Sequence, residues 1–122
     1  MSGNSRFDGV DAELKQFVSQ HVHGWSDEDW RALVGRLAES GHDVTDTGEL
    51  GLRLERWHIL ETLSRLSLSG VGPRRREHIA DRFPSLWALR HASVDELAEL
   101  PSFHRGLAEQ LHERLHRRTG GF

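Results

Sequence analysis

The residues of this chain best suited to chemistry lie together in Leu68-Ser69-Gly70-Val71-Gly72-Pro73-Arg74-Arg75-Arg76, and the chemistry they suit is the binding of an anion. Gly70 and Gly72 let the backbone turn tightly and leave bare main chain for a close approach. Pro73 fits the first position of a helix, where no amide donor is needed and φ is already set. A helix that starts there points orphan N–H groups and a partial positive charge back at the turn. Three arginines come next. Each cation at a helix start opposes the helix dipole, at a cost of up to about 1 kcal/mol, so a sequence that carries three in a row gains something from them. A polyanion supplies that gain, and the commonest long polyanion in a cell is nucleic acid. Successive helix residues project about 100° apart. All three arginines therefore cannot face one strand, and backbone contacts are expected from at least two. The competing reading is an ordinary tight turn with a solvated helix start.

Together with the residues up to 118, this stretch resembles the helix-hairpin-helix DNA-binding family. The resemblance is to its double form, as in the C-terminal domain of UvrC and in XPF-type endonucleases, and covers roughly residues 55–118. The first hairpin is Leu68-Ser69-Gly70-Val71-Gly72-Pro73, the family's pair of glycines around an apolar residue. Residues 83–100, FPSLWALRHASVDELAEL, look like the family's bridge between two hairpins. The second hairpin is Leu100-Pro101-Ser102-Phe103-His104-Arg105, leading into a basic helix. Here the pattern departs: Ser102 and His104 stand where the family has its two glycines, although Ser102 is suited to cap the next helix.

The resemblance implies a DNA-binding surface made of Ser69, Gly70, Val71, Gly72, Arg74, Arg75 and Arg76, with Ser102, His104 and Arg105 from the second hairpin. Val71 is expected to point inward and hold the first hairpin together. The function implied is sequence-independent DNA binding in repair or recombination, by an accessory chain that leaves the chemistry to a partner. DNA, duplex or branched, is the expected ligand, with a nuclease or a second copy of the chain as candidate protein partners. A protein-interaction or dimerisation module built on a degenerate double hairpin is the alternative. A further reading has the acidic half compete with DNA for the basic face, with residues 41–48 as the hinge.

Charge agrees with the placement of the motif. Residues 1–65 carry 7 Lys and Arg against 12 Asp and Glu, whereas residues 66–122 carry 9 Arg against 7 Asp and Glu. The cationic half is the half with the hairpins. The whole chain has a net charge of −3, so binding by bulk charge alone would be weak and salt-sensitive.

Other chemistries find little purchase. There is no cysteine, hence no disulfide framework and no thiolate ligand, which fits the reducing cytoplasm. No apolar run approaches the roughly 20 residues that span a bilayer, and the first residues lack a basic-then-apolar signal pattern. His112 and His116 have a spacing that can hold a metal, but no further ligand accompanies them. Asp27, Glu28 and Asp29 crowd one helix start, where the dipole favours them, rather than facing one another across a rigid site. The chain has no phosphate-binding Gly-rich loop of the nucleotidase kind and no nucleophile in a recognisable setting. No catalytic residue, cofactor, metal or membrane contact is expected.

The elements that must position the hairpins are helical. Tyr is absent, and Leu, Ala, Glu and Arg are abundant. Residues 1–9 read as frayed. Asp11 is placed to cap a helix to about His23, and Ser26, with Asp29 three residues on, to cap a second to about Ser40. Residues 41–48 read as a loop. A third helix, residues 49–66, carries Leu52, Leu54, Trp57, Ile59, Leu60, Leu63 and Leu66, and its continuity into the first hairpin argues for one packed unit. Helices are expected at 73–82, 85–91, 94–100 and 104–118, the third of these capped by Ser93 and the last packed through Leu107, Leu111 and Leu115. Trp30, Trp57 and Trp87 fit apolar stripes and are expected to pack inside rather than stack on bases; Trp25, in a turn, is least constrained. His104, Arg105, His112, His116, Arg117 and Arg118 either extend the basic surface or simply solvate the last helix. The fold class is therefore all-α, with an acidic helical region at residues 1–50 and a tandem helix-hairpin-helix domain at residues 51–122.

Overall fold

The computed structural model describes the backbone of residues 2–66 and 68–120, and side chains from residue 9 to 116 except Ser67. Seven helices and no strand occur among the described residues: α1 (Ser2–Gln20), α2 (Asp27–Glu39), α3 (Thr47–Leu66), α4 (Pro73–Arg82), α5 (Leu86–Arg90), α6 (Val94–Ala98) and α7 (Arg105–Gly120). The expectation of an all-α chain is met. None of these helices is long and apolar enough to cross a membrane. The chain packs as two units, Met1–Glu61 and Thr62–Phe122. The division falls inside α3, whereas the boundary read from the sequence is at residues 50/51.

In the first unit, Leu14, Val18, Leu33 and Leu37 are fully buried, and Val10, Phe17, Leu50 and Leu54 nearly so. Trp25, Trp30, Val44 and Trp57 pack against them. Trp25, the residue the sequence constrains least, sits edge-on to Phe17 and tilted against His58. The helix α1 begins well before the expected cap. Asp11 lies inside it, because its carboxylate accepts from Arg53 Nη2 at 2.6 Å and from Trp57 Nε1 at 3.4 Å, both on α3. Tertiary partners thus claim the group that would otherwise have capped.

The helix α2 starts as its sequence dictates. Ser26 Oγ accepts from Asp29 N–H, and Asp29 returns the bond to Ser26 N–H, each at 3.1 Å. The Ser26 backbone N–H, and then its side chain, hold the Asp29 carboxyl below its ordinary pKa. The end is closed by Gly41 N–H donating to the Ala38 carbonyl and His42 N–H to the Leu37 carbonyl. Asp46 Oδ1 accepts from Glu49 N–H at 3.0 Å and starts α3 two residues earlier than expected. Leu52, placed on the apolar stripe by its spacing, is 61% exposed.

In the second unit the core is Leu63, Leu66, Val71, Ile79, Phe83, Leu86, Leu89, Leu97, Leu100, Phe103, Leu107, Leu111 and Leu115. Ser85 and Ser93 cap α5 and α6, and the Ser93 backbone N–H donates in return to the Glu96 carboxylate. Arg114 Nη2 donates to the Leu66 carbonyl at 2.7 Å, so α7 closes the C-terminal end of α3 with a cation. Trp87 departs from expectation. It is 69% exposed, stacked on His91 with ring centroids 4.0 Å apart, because Leu86 and Leu89 take the inward positions of so short a helix.

Candidate nucleic-acid interface

The first hairpin turn is closed by Val71 N–H donating to the Leu68 carbonyl at 3.2 Å. Val71 is buried, as expected, and Ser69, Gly70 and Gly72 face solvent. The two glycines serve different needs. Gly70 has φ +87°, the left-handed region that disfavours any side chain, and a Cβ there would lie 3.4 Å from Leu107 Cδ1. Gly72 is the N-cap of α4, with φ −85° and ψ −173°, and a Cβ there would meet nothing within 4 Å. The bend favours a glycine at 70, whereas position 72 has room and backbone for any side chain. Gly72 also has no side chain to cap with, so the first amides of α4 stand open to an acceptor from outside.

The second turn repeats the first in backbone, residue for residue. Ser102, in the place of Gly70, has φ +66°. Phe103, in the place of Val71, is buried and its N–H donates to the Leu100 carbonyl at 3.1 Å. His104, in the place of Gly72, accepts Ala108 N–H on its carbonyl at 3.0 Å, as Gly72 accepts Arg76 N–H at 3.0 Å. What differs is who caps. The expected cap from Ser102 is not made, because Ser102 stands two residues too early and is committed to the left-handed bend. The cap is His104, whose Nδ1 accepts from Leu107 N–H at 3.1 Å. An acceptor of the protein's own thus occupies the helix start in the second hairpin, where the first leaves it open. A left-handed serine is held at about 1 kcal/mol above glycine. Ser102→Gly is therefore expected to leave the melting temperature unchanged or up to a few degrees higher; a fall of several degrees in thermal circular dichroism would contradict the repeat.

The arginines divide in the same way. Arg74 is exposed and Arg76 half-buried, and neither is held by a hydrogen bond or ion pair among the described residues. Arg75 turns away to bridge two carbonyls: its Nη1 donates to Gly70 O at 2.6 Å and its Nε to Ser102 O at 3.1 Å. Arg105, at the start of α7, is paired with Asp95 at 2.8 Å and Glu109 at 3.5 Å. The hydrogen bond to Asp95 and that carboxylate's charge, then Glu109, raise its pKa above the ordinary arginine value. At the two helix starts Arg74 and Arg76 are thus without an internal partner among the described residues, while Arg105 is ion-paired at the surface.

The remaining candidates sit apart from this arrangement. His116 and His112 lie ring to ring at 4.2 Å, with His116 Nδ1 2.8 Å from the His112 carbonyl oxygen. No group of three His, Cys, Asp or Glu placed to hold a metal occurs among the described residues. The side chains of Arg117 and Arg118 lie outside the described residues. Sequence reasoning missed the bridge of Arg75, for which there was no signal, since its second partner lies 27 residues away. It also missed the cap of His104, which matching the two turns position by position would have suggested.

Comparison with known proteins agrees with this geometry. Residues 61–117 match the family described as SAM-like helix-hairpin-helix tandem. The chain is 36% identical over 84 residues to the UvrABC system protein C of Dechloromonas aromatica, covering 69% of this chain and 13% of that protein. It is 34% identical over 113 residues to that of Proteus mirabilis, covering 93% of this chain and 18% of the relative. The chain thus spans less than a fifth of the length of these relatives. No solved structure matches it. With two equivalent turns, the bridge of α5 and α6 between them, and this match, the segment 61–117 belongs to the tandem helix-hairpin-helix family.

Proposed function

We propose that this chain grips DNA by its phosphate backbone, without reading base sequence, chiefly through the first hairpin. The observation that carries the reading is the open start of α4 at Gly72, with Arg74 and Arg76 beside it and no side-chain cap of its own. Amide groups and a helix dipole favour an anion whatever base it is attached to. The second hairpin, capped by His104 and with Arg105 paired to Asp95 and Glu109, holds the opposite strand less firmly. That asymmetry favours junctions, gaps and one-sided contacts over a long symmetric duplex site. The likeness to UvrABC system protein C supports a role in DNA repair or recombination. On this reading the chain works in the cytoplasm as an accessory, and a partner nuclease performs the chemistry.

A second reading has one observation in its favour. Trp87 is 69% exposed on α5, and a tryptophan so placed is the residue type that anchors protein partners, including a second copy of the chain.

The test is a fluorescence-anisotropy titration into duplex, single-stranded and three-way-junction DNA across a salt series. Backbone binding gives affinities that fall steeply with salt and are indifferent to sequence, with the junction at least as tight as the duplex. Absence of binding to all three would sink the reading and turn attention to a protein partner.

A further inference from the structure

Gly70 and Ser102 occupy the same position of their two turns, and one guanidinium group holds both their carbonyl oxygens. In each turn the same peptide group is concerned. Its N–H closes the turn, from Val71 to Leu68 and from Phe103 to Leu100, and its C=O faces Arg75. Two carbonyl oxygens converging on one point repel each other, and a cation between them reverses the sign. A guanidinium also imposes direction, because its donors form a rigid planar fork. A second contact runs alongside: Leu107 of α7 approaches the backbone of Gly70 so closely that a Cβ there would lie 3.4 Å from it.

We infer that Arg75 is a positioning residue, which sets the two backbone-gripping turns at a fixed separation so that one duplex can meet both. This rests on the DNA-binding reading above. It assigns to the middle arginine of the triplet a role different from that of its neighbours: Arg74 and Arg76 touch phosphate, whereas Arg75 decides how far apart the two helix starts stand. A ligand that needs both turns depends on the bridge. A ligand that needs one turn does not.

Arg75→Gln and Arg74→Gln remove the same charge from adjacent positions. Both are titrated into duplex and single-stranded DNA over a salt series, with melting temperatures measured in parallel. For Arg74→Gln, the slope of log affinity against log salt falls by about 0.9, the signature of one lost phosphate contact, and both DNAs weaken. For Arg75→Gln, the single-strand slope is that of the wild type. Duplex affinity falls about tenfold, and single-strand affinity stays within about twofold. If Arg75→Gln does not stay folded at the assay temperature, Arg75→Lys serves instead. It keeps the charge but has no fork to reach both carbonyls, and the same duplex-selective loss is expected. A single-strand slope that drops in Arg75→Gln as it does in Arg74→Gln would make Arg75 a phosphate contact and overturn the inference. So would wild-type duplex affinity in either Arg75 variant. A wild type that binds neither DNA overturns the DNA reading and this inference with it, whereas a binding wild type with an indifferent Arg75 overturns the inference alone.

Discussion

Gly72→Asp is expected to weaken DNA binding on the order of a hundredfold while leaving the protein as stable as before or slightly more so. The position is an N-cap in ordinary extended backbone, and a Cβ there would meet nothing within 4 Å. Aspartate is among the best residues at such a place, so its carboxylate accepts the open amides of α4 and adds about 0.5 kcal/mol. It thereby does from inside what a phosphate is proposed to do from outside. The site is filled, a negative charge stands in the path of the strand, and Arg74 and Arg76 gain an intramolecular counter-charge. Binding falls for electrostatic reasons and not because the fold is lost. Anisotropy beside a thermal melt separates the two. Retained affinity in a variant of unchanged or raised melting temperature would show that the turn is not the grip.

Leu111→Ala is expected to do the opposite, lowering stability by about 3 kcal/mol with no direct effect on the binding surface. Leu111 is fully buried in α7, one turn from Leu107 and one from Leu115, which are 4% and 1% exposed. Truncation leaves a cavity that the close-packed neighbours fill only in part. A unit of about 60 residues holds on the order of 5 kcal/mol in all, so this one change removes most of it. Urea melts report the loss. DNA affinity then tracks the folded fraction and returns toward the wild-type value on cooling below the transition. A loss of less than about 1 kcal/mol would mean that the second unit is held together elsewhere than along α7. The two variants thus act by opposite routes, one lowering affinity with the fold intact and one lowering stability with the binding surface intact.

The hairpins were legible because their signals are local. Pro73 marks a helix start by its own ring, Gly70 marks a left-handed bend by its lack of Cβ, and Ser26 and Ser93 mark caps through residues three positions on. Each lies within one turn of what it specifies. The start of α4 at Pro73 and the buried position of Val71 followed from such signals. The failures share the opposite character. Asp11 reads as a cap from its neighbours, but Arg53 and Trp57, 42 and 46 residues further along the chain, take its carboxylate. Leu52 and Trp87 fit apolar stripes by spacing, yet a stripe says only which residues share a face and not how wide the covering element is. Ser102 reads as a cap by residue type, and only the folded turn reveals that the bend needs it two residues before the helix.

By itself the sequence determined the helical class, the place of both hairpins, and the family to which residues 61–117 belong, since these depend on residue types at fixed short spacings. Tertiary structure alone decided how the cations are used. Of four arginines at the two helix starts, Arg105 pairs with Asp95 and Glu109 and Arg75 with the carbonyls of Gly70 and Ser102, whereas Arg74 and Arg76 have no internal partner among the described residues. A linear sequence gives all four the same charge. Which of them remains available depends on which carboxylates and carbonyls come within about 3 Å once distant segments are packed together, and that distance is a property of the fold.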